Sequence, residues 1–167
     1  MISQRLFYAL WPDADTRTAI TRLQSTIQGR LTQTRNLHMT LAFLGQQPSE
    51  RMPPLQHILS DLPIIDMPLV LDRIGYFSRN RIAWIGMSDV PATLIMLQQR
   101  LMQDLDQHAI QLSSSTRFQP HVTLARDALP PPDIQFDPLI WQTAKVALVR
   151  STSDRGGVLY QVLASQH

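Results

Sequence analysis

Alternating apolar and polar positions mark two short segments of this chain as β-strands that carry reactive side chains. The segments read His-Met-Thr-Leu-Ala from residue 38 and His-Val-Thr-Leu-Ala from residue 121. Residues two apart in a strand point to the same face of a sheet. Each strand therefore places a histidine beside a threonine, His38 with Thr40 and His121 with Thr123. The apolar motif positions, which face the other side, are Met39, Leu41, Val122 and Leu124.

The remaining apolar periodicity predicts three helices and several further strands. The first helix is expected to begin at a cap at Asp13 or Asp15 and to end near Gly29. A shorter helix covers residues 51–62, and a third begins near Pro91. The apolar stripe of the third helix consists of Leu94, Leu97, Leu101 and Leu105. Strands are expected at residues 5–11, in a hairpin of 69–77 with 81–87, and in a hairpin of 143–150 with 157–164.

The order of these elements contains a loose internal repeat. Each half of the chain has a long helix followed by a His-x-Thr strand, and equivalent motif residues lie 83 positions apart. This order predicts a single α+β domain over residues 1–167, made of two intertwined lobes that face each other across a cleft.

Composition narrows the class of chemistry. The chain has 167 residues and no cysteine, which excludes thiolate catalysis, disulfides and thiolate metal sites. A net charge of +2 does not by itself indicate a nucleic-acid binder, although all basic residues except Lys145 are arginines, which suit phosphate. No apolar run reaches the ~18 residues of a membrane helix, and the N-terminus lacks a signal-peptide pattern. We therefore expect a cytoplasmic protein, and nothing in the sequence demands more than a monomer.

Two histidines are suited to acid/base chemistry at phosphorus. An unperturbed pKa of ~6.5 would let one imidazole be neutral and the other protonated near pH 7. One would take a proton from a nucleophile while the other protonates a leaving group, and Thr40 and Thr123 would donate hydrogen bonds to phosphate oxygens. A metal site is disfavoured because the motifs bring no carboxylate, so no metal or cofactor is expected.

Three further positions have two interpretations. Arg126 lies five residues after His121, so a regular strand would turn it away from the site, whereas a bulge would bring it back toward a phosphate. Trp11 and Trp84 are able to stack a nucleic-acid base, but packing in the core is the preferred interpretation for both.

The motifs together resemble the two-histidine (2H) phosphoesterase superfamily, specifically its bacterial RNA 2′,3′-cyclic phosphodiesterases, also called 2′-5′ RNA ligases. The resemblance covers nearly the whole chain and rests on residues 5–10, 36–45, 81–86, 120–126, and Gly156-Gly157 with Tyr160. The chain departs mildly from the family pattern at Leu37, where many members have proline before the first motif histidine.

The resemblance implies a bilobal pseudo-twofold fold with two facing antiparallel sheets around a central cleft and helices outside. It implies metal-independent hydrolysis of a 2′,3′-cyclic phosphate at the end of RNA, tRNA fragments included, to a 2′-phosphate. By motif position His38 would be the proton donor, His121 the proton acceptor, and Thr40 and Thr123 the phosphate-oxygen ligands. The residue pattern alone does not say which histidine is which.

Other functions stay open at this point. Ligation would be the reverse reaction, because the single lysine has no Lys-x-Asp-Gly around it to hold AMP. The alternatives are a phosphodiesterase of the same fold that acts on a small cyclic nucleotide, and a non-catalytic module that binds RNA ends. No membrane and no obligate protein partner are expected.

Overall fold

The structure is a computed structural model that describes residues 2–112, 117–142 and 144–167. In those ranges the three α-helices are α1 (Ala14–Gln24), α2 (Met52–Asp61) and α3 (Ala92–Gln107). The strands in the same ranges are β1 (Ser3–Trp11), β2 (Arg30–Leu31), β3 (Met39–Pro48), β4 (Leu69–Leu71), β5 (Arg73–Phe77), β6 (Ile82–Gly86), β7 (His121–Arg126), β8 (Leu139–Trp141), β9 (Lys145–Asp154) and β10 (Gly157–Ser165).

The helices form largely where apolar periodicity predicts them, with one difference at the end of α1. Asp13 caps α1 by accepting a hydrogen bond from the Thr16 amide at 2.8 Å. This helix ends before Gly29, because the hydroxyls of Ser25 and Thr26 bond back to carbonyls of the last turn at 2.7 and 2.8 Å. The third helix, α3, is capped by Pro91 without a side-chain bond. Its predicted stripe is at most 1% exposed.

Eight strands form one antiparallel sheet in the order β10-β9-β1-β3-β7-β6-β5, with β2 beside β7. Its two halves meet where β3 and β7 pair, and the bridge between them is the single pair Met39 and Val122. The two His-x-Thr strands thus lie side by side at the centre. The predicted α+β class with antiparallel sheets is confirmed.

One predicted hairpin is only partly correct. Residues 73–77 pair with 82–86 as expected, but Leu69–Leu71 does not extend that hairpin. It forms a separate two-stranded sheet with Leu139–Trp141, a strand that the sequence pattern did not predict. Trp141 is fully buried, so this small sheet contributes to the core.

The apolar core lies on the helix side of the large sheet. Met39, Leu41, Val122 and Leu124 belong to this core, which also contains the apolar stripes of the helices. Tyr8 is fully buried there and donates a hydrogen bond to the Leu55 carbonyl at 2.7 Å. A small second cluster around Phe7 lies on the opposite side of β1. No helix in the described ranges is long and apolar enough to cross a membrane.

Candidate active site

The bridge between the two halves of the sheet brings the four motif side chains together. Because Met39 pairs with Val122 in antiparallel register, extending that register places His38 opposite Thr123 and Thr40 opposite His121. Directly opposed residues have Cβ atoms about 4.5–5.5 Å apart. Each histidine is therefore the cross-strand neighbour of the other motif's threonine. We call the face that carries these four residues the motif face.

Backbone carbonyls hold both imidazoles in the same way. Nδ1 of His38 lies 2.7 Å from the carbonyl oxygen of Asn36, and Nδ1 of His121 lies 2.6 Å from that of Gln119. A carbonyl oxygen only accepts, so Nδ1 carries the proton in each ring. In the neutral form Nε2 is then the basic nitrogen. Nε2 of His38 accepts a hydrogen bond from the Thr40 hydroxyl at 2.9 Å.

Aromatic rings enclose both histidines. The Trp11 ring is stacked near His38 at 5.8 Å between centroids, and the Phe7 and Tyr160 rings lie 4.9 and 5.1 Å from it. On the other strand, the Phe77 ring lies edge-on to His121 at 5.0 Å. The expectation that Trp11 is a core residue was wrong in part: it packs against the small cluster around Phe7, but it is only half-buried and lies on the motif face beside a histidine.

Trp84 is also half-buried at the site, with its ring 6.2 Å from that of His121, so the core interpretation was wrong for it too. Its indole lies over Gly75, where an added Cβ would come within 2.0 Å of Cζ2. A side chain at position 75 would therefore displace the ring. The sequence shows the glycine but not the ring that requires it.

Burial makes both histidines weaker bases than usual. The pKa of His38 is lowered to about 4, chiefly by desolvation; the bond to Asn36 opposes this shift, and positive charge at His121, Arg126 and Arg17 adds to it. Desolvation also lowers the pKa of His121, with a smaller contribution from Arg126. Both imidazoles are therefore neutral near pH 7 in the free protein. The prediction that one of them is protonated there was wrong for this state.

Arg126 reaches the motif face through a bulge in β7. Ala83 pairs with Ala125, but the next residue, Trp84, pairs with Thr123, so β7 has one extra residue at this point. Leu124 and Ala125 are accordingly both buried, and the alternation resumes with Arg126 exposed. The side chain lines a cavity of about 220 Å³ together with His38 and Thr123.

Two supporting residues escaped the residue-by-residue reasoning. Asn36 is buried, and its amide donates to the Val158 carbonyl at 2.9 Å while its oxygen accepts from the Tyr160 amide at 3.3 Å. These bonds fix the turn whose carbonyl orients His38. Arg17 packs over the outer face of Trp11, 4.9 Å from the ring centroid. The sequence shows an asparagine two residues before the motif histidine, but its burial, like the packing of Arg17 on Trp11, depends on the tertiary structure.

Comparison with known proteins gives consistent results. The family model for the 2′-5′ RNA ligase superfamily matches residues 11–155. The RNA 2′,3′-cyclic phosphodiesterase of Escherichia coli is 32% identical over 96% of this chain and 94% of its own length. The protein of the same name from Thermus thermophilus is 28% identical, over 95% and 87%. The crystal structure of E. coli LigT in apo form superposes with a TM-score of 0.85 at 29% identity, covering 99% of this chain and 97% of that one.

Proposed function

Because the chain belongs to the 2′-5′ RNA ligase superfamily, we propose that it hydrolyses the 2′,3′-cyclic phosphate at the end of RNA to a 2′-phosphate. The observation that carries the proposal is the cross-strand arrangement of His38, Thr40, His121 and Thr123 on one face. Curated relatives that match almost the whole chain are named for this activity. The substrates are RNA ends of the cytoplasm, tRNA fragments among them.

In the proposed reaction, water attacks phosphorus opposite the bond to the ribose 3′ oxygen. Nε2 of His121 takes the proton from water, the P–O3′ bond breaks, and Nε2 of His38 gives a proton to the departing oxygen. One water is consumed and the product is a 2′-phosphate with a free 3′-hydroxyl. Both roles use Nε2, which is the nitrogen that the Nδ1–carbonyl bonds leave for proton exchange.

Substrate binding supplies the protonated form of His38. Its pKa of about 4 keeps the ring neutral in the free protein, but the negative charge of a bound phosphate favours the imidazolium. Once Nε2 carries a proton it no longer accepts from the Thr40 hydroxyl. That hydroxyl is then available to donate to a phosphate oxygen. Binding of the anion therefore prepares the acid and the oxygen ligand in one step.

Thr123 and Arg126 complete the phosphate site in this proposal. Both line the cavity that contains His38, so a hydroxyl and a guanidinium converge on the same small space. Donors placed where charge develops stabilise the transition state. Ligation in this site uses an RNA 5′-hydroxyl in place of water as the nucleophile, the P–O3′ bond again breaks, and hydrolysis dominates in water.

The test uses purified protein, EDTA and an RNA oligomer that ends in 2′,3′-cyclic phosphate. We expect a 2′-phosphate product, and a loss of ~10² to 10⁴ in rate for His121→Asn with RNA affinity retained within a few-fold. His57→Asn is the matched control, because His57 is an exposed residue of α2. Turnover by His121→Asn at the normal rate would contradict the acid/base assignment, and turnover lost only on adding EDTA would contradict a metal-independent reaction.

A substrate with sulfur in place of the 3′ oxygen separates the two roles. A thiolate departs without a proton donor, so this substrate should restore turnover to His38→Asn and not to His121→Asn. The reverse pattern would exchange the two roles.

A further inference from the structure

A second, larger cavity adjoins the proposed phosphate site. It has a volume of about 910 Å³ and is lined mainly by residues of β1, β3, β9 and β10. Arg126, Val158 and Tyr160 line the smaller cavity as well. We call the larger cavity the β1 groove. It lies wholly on the half of the sheet that carries His38, apart from Arg126, which reaches it from β7.

Strand register makes the groove a continuation of the motif face. The ring of Phe7 contacts that of His38. Arg5 and Ser3, two and four residues before Phe7 in β1, lie on the same face of the sheet. Arg5 pairs with Ser151 of β9, which in turn pairs with Tyr160 of β10. Four residues of β1 span about 13 Å at ~3.3 Å per residue.

The charge of the groove suits a polyanion. Among the described residues no aspartate or glutamate lines it, whereas Arg5, Arg126 and Arg150 do. Within the same ranges Arg5 and Arg126 make no ion pair that would neutralise them. The hydroxyls of Ser151, Ser153 and Tyr160 add donors of the kind that contact phosphate and sugar oxygens.

Phe43 provides an aromatic surface in the same groove. It is 51% exposed, lines the groove, and its ring lies 6.2 Å from that of Phe7. Phe43 of β3 and Arg126 of β7 are equivalent positions, since each lies five residues after its motif histidine. Shifts of register in β3 between Leu41 and Gly45 turn Phe43 to the motif face, as the bulge turns Arg126. An exposed aromatic ring beside cations is the arrangement that binds single-stranded nucleic acid.

We propose that the β1 groove binds the single-stranded RNA chain on the 5′ side of the cyclic phosphate, with Arg5 at a backbone phosphate and Phe43 stacked on a base. This inference rests on the proposed function. It also gives a geometric reason for the roles of the histidines. RNA in the groove holds the ribose on the half of the sheet that carries His38, so the departing 3′ oxygen faces His38 and water enters from the side of His121.

The experiment compares a nucleoside 2′,3′-cyclic phosphate with a pentaribonucleotide that ends in the same cyclic nucleotide. For Phe43→Leu we expect kcat/KM on the pentamer to fall roughly 5- to 160-fold, which is the fold-change that corresponds to the ~1–3 kcal/mol of one base stacked on an aromatic side chain. Arg5→Gln should raise KM for the pentamer and reduce the slope of log affinity against log salt by about 0.7, the value for one phosphate contact on a single strand. Neither variant should change kcat/KM on the mononucleotide by more than twofold. Arg22→Gln, an exposed arginine of α1 outside the groove, is the charge-matched control.

Equal losses on the two substrates, or no loss on the pentamer, would overturn the inference. Failure of the proposed function gives a different result, since then neither substrate is hydrolysed by the unmodified protein. In that case the inference is tested by measuring binding of the labelled pentamer by fluorescence anisotropy. Weaker binding by Arg5→Gln and Phe43→Leu than by Arg22→Gln supports an RNA groove, and unchanged binding refutes it.

Discussion

Titration of His38 should make the protein less stable in mild acid. Its pKa is about 4 in the folded protein and ~6.5 in the unfolded chain, so between these values the unfolded chain binds a proton that the folded protein does not. The free energy of unfolding therefore falls as pH decreases from about 7 toward 4. With these two pKa values, His38 alone removes about 2 kcal/mol between pH 7 and pH 5, and ~3 kcal/mol by pH 4.

The assay is urea unfolding at pH 7, 6 and 5 for the unmodified protein and for His38→Asn. Asparagine keeps an N–H that is able to donate to the Asn36 carbonyl but does not titrate. Because every other titrating group is common to both proteins, the difference between their unfolding free energies isolates position 38. We expect the unmodified protein to lose about 2 kcal/mol more than the variant between pH 7 and pH 5. Parallel pH dependences would refute the argument that burial lowers the pKa of His38.

Two further predictions concern catalysis. The pH dependence of kcat/KM reports the titrating groups of the free enzyme. Because burial lowers the pKa of both His38 and His121, the pH optimum of kcat/KM should lie below 6.5. The pH optimum of kcat should lie higher, because bound phosphate raises the pKa of both histidines. An optimum of kcat/KM above pH 7.5 would contradict this reasoning. Gly75→Ala places a Cβ within 2.0 Å of the Trp84 ring; we expect altered tryptophan fluorescence and a loss of turnover on the order of 10²-fold, as for a ~1 Å displacement at a site. Unchanged tryptophan fluorescence together with unchanged turnover in Gly75→Ala would contradict this reasoning.

Much of the secondary structure of this protein could be predicted from its sequence, because it depends on local backbone geometry. Alternation in a strand is a property of the backbone, so it placed His38 with Thr40 on one face and Met39 on the other before any tertiary contact was known. The stripe of α3 was equally readable, because a helix buries positions three and four apart. Leu69–Leu71 was misassigned because its apolar pattern fits either of two partner strands, and only packing around Trp141 selects one.

The reactivity of the site depends on contacts between residues distant in the chain. The motif strands become neighbours through one bridge, Met39 with Val122, and no local propensity encodes that register. The bulge that turns Arg126 to the motif face follows from pairing with β6. The pKa of His38 depends on burial and on charges brought near by folding. Which side chains share a strand face follows from the local sequence, since backbone geometry over a few residues sets it. Tertiary structure decided which strands are adjacent, how deeply the imidazoles are buried and where an RNA chain has room to lie.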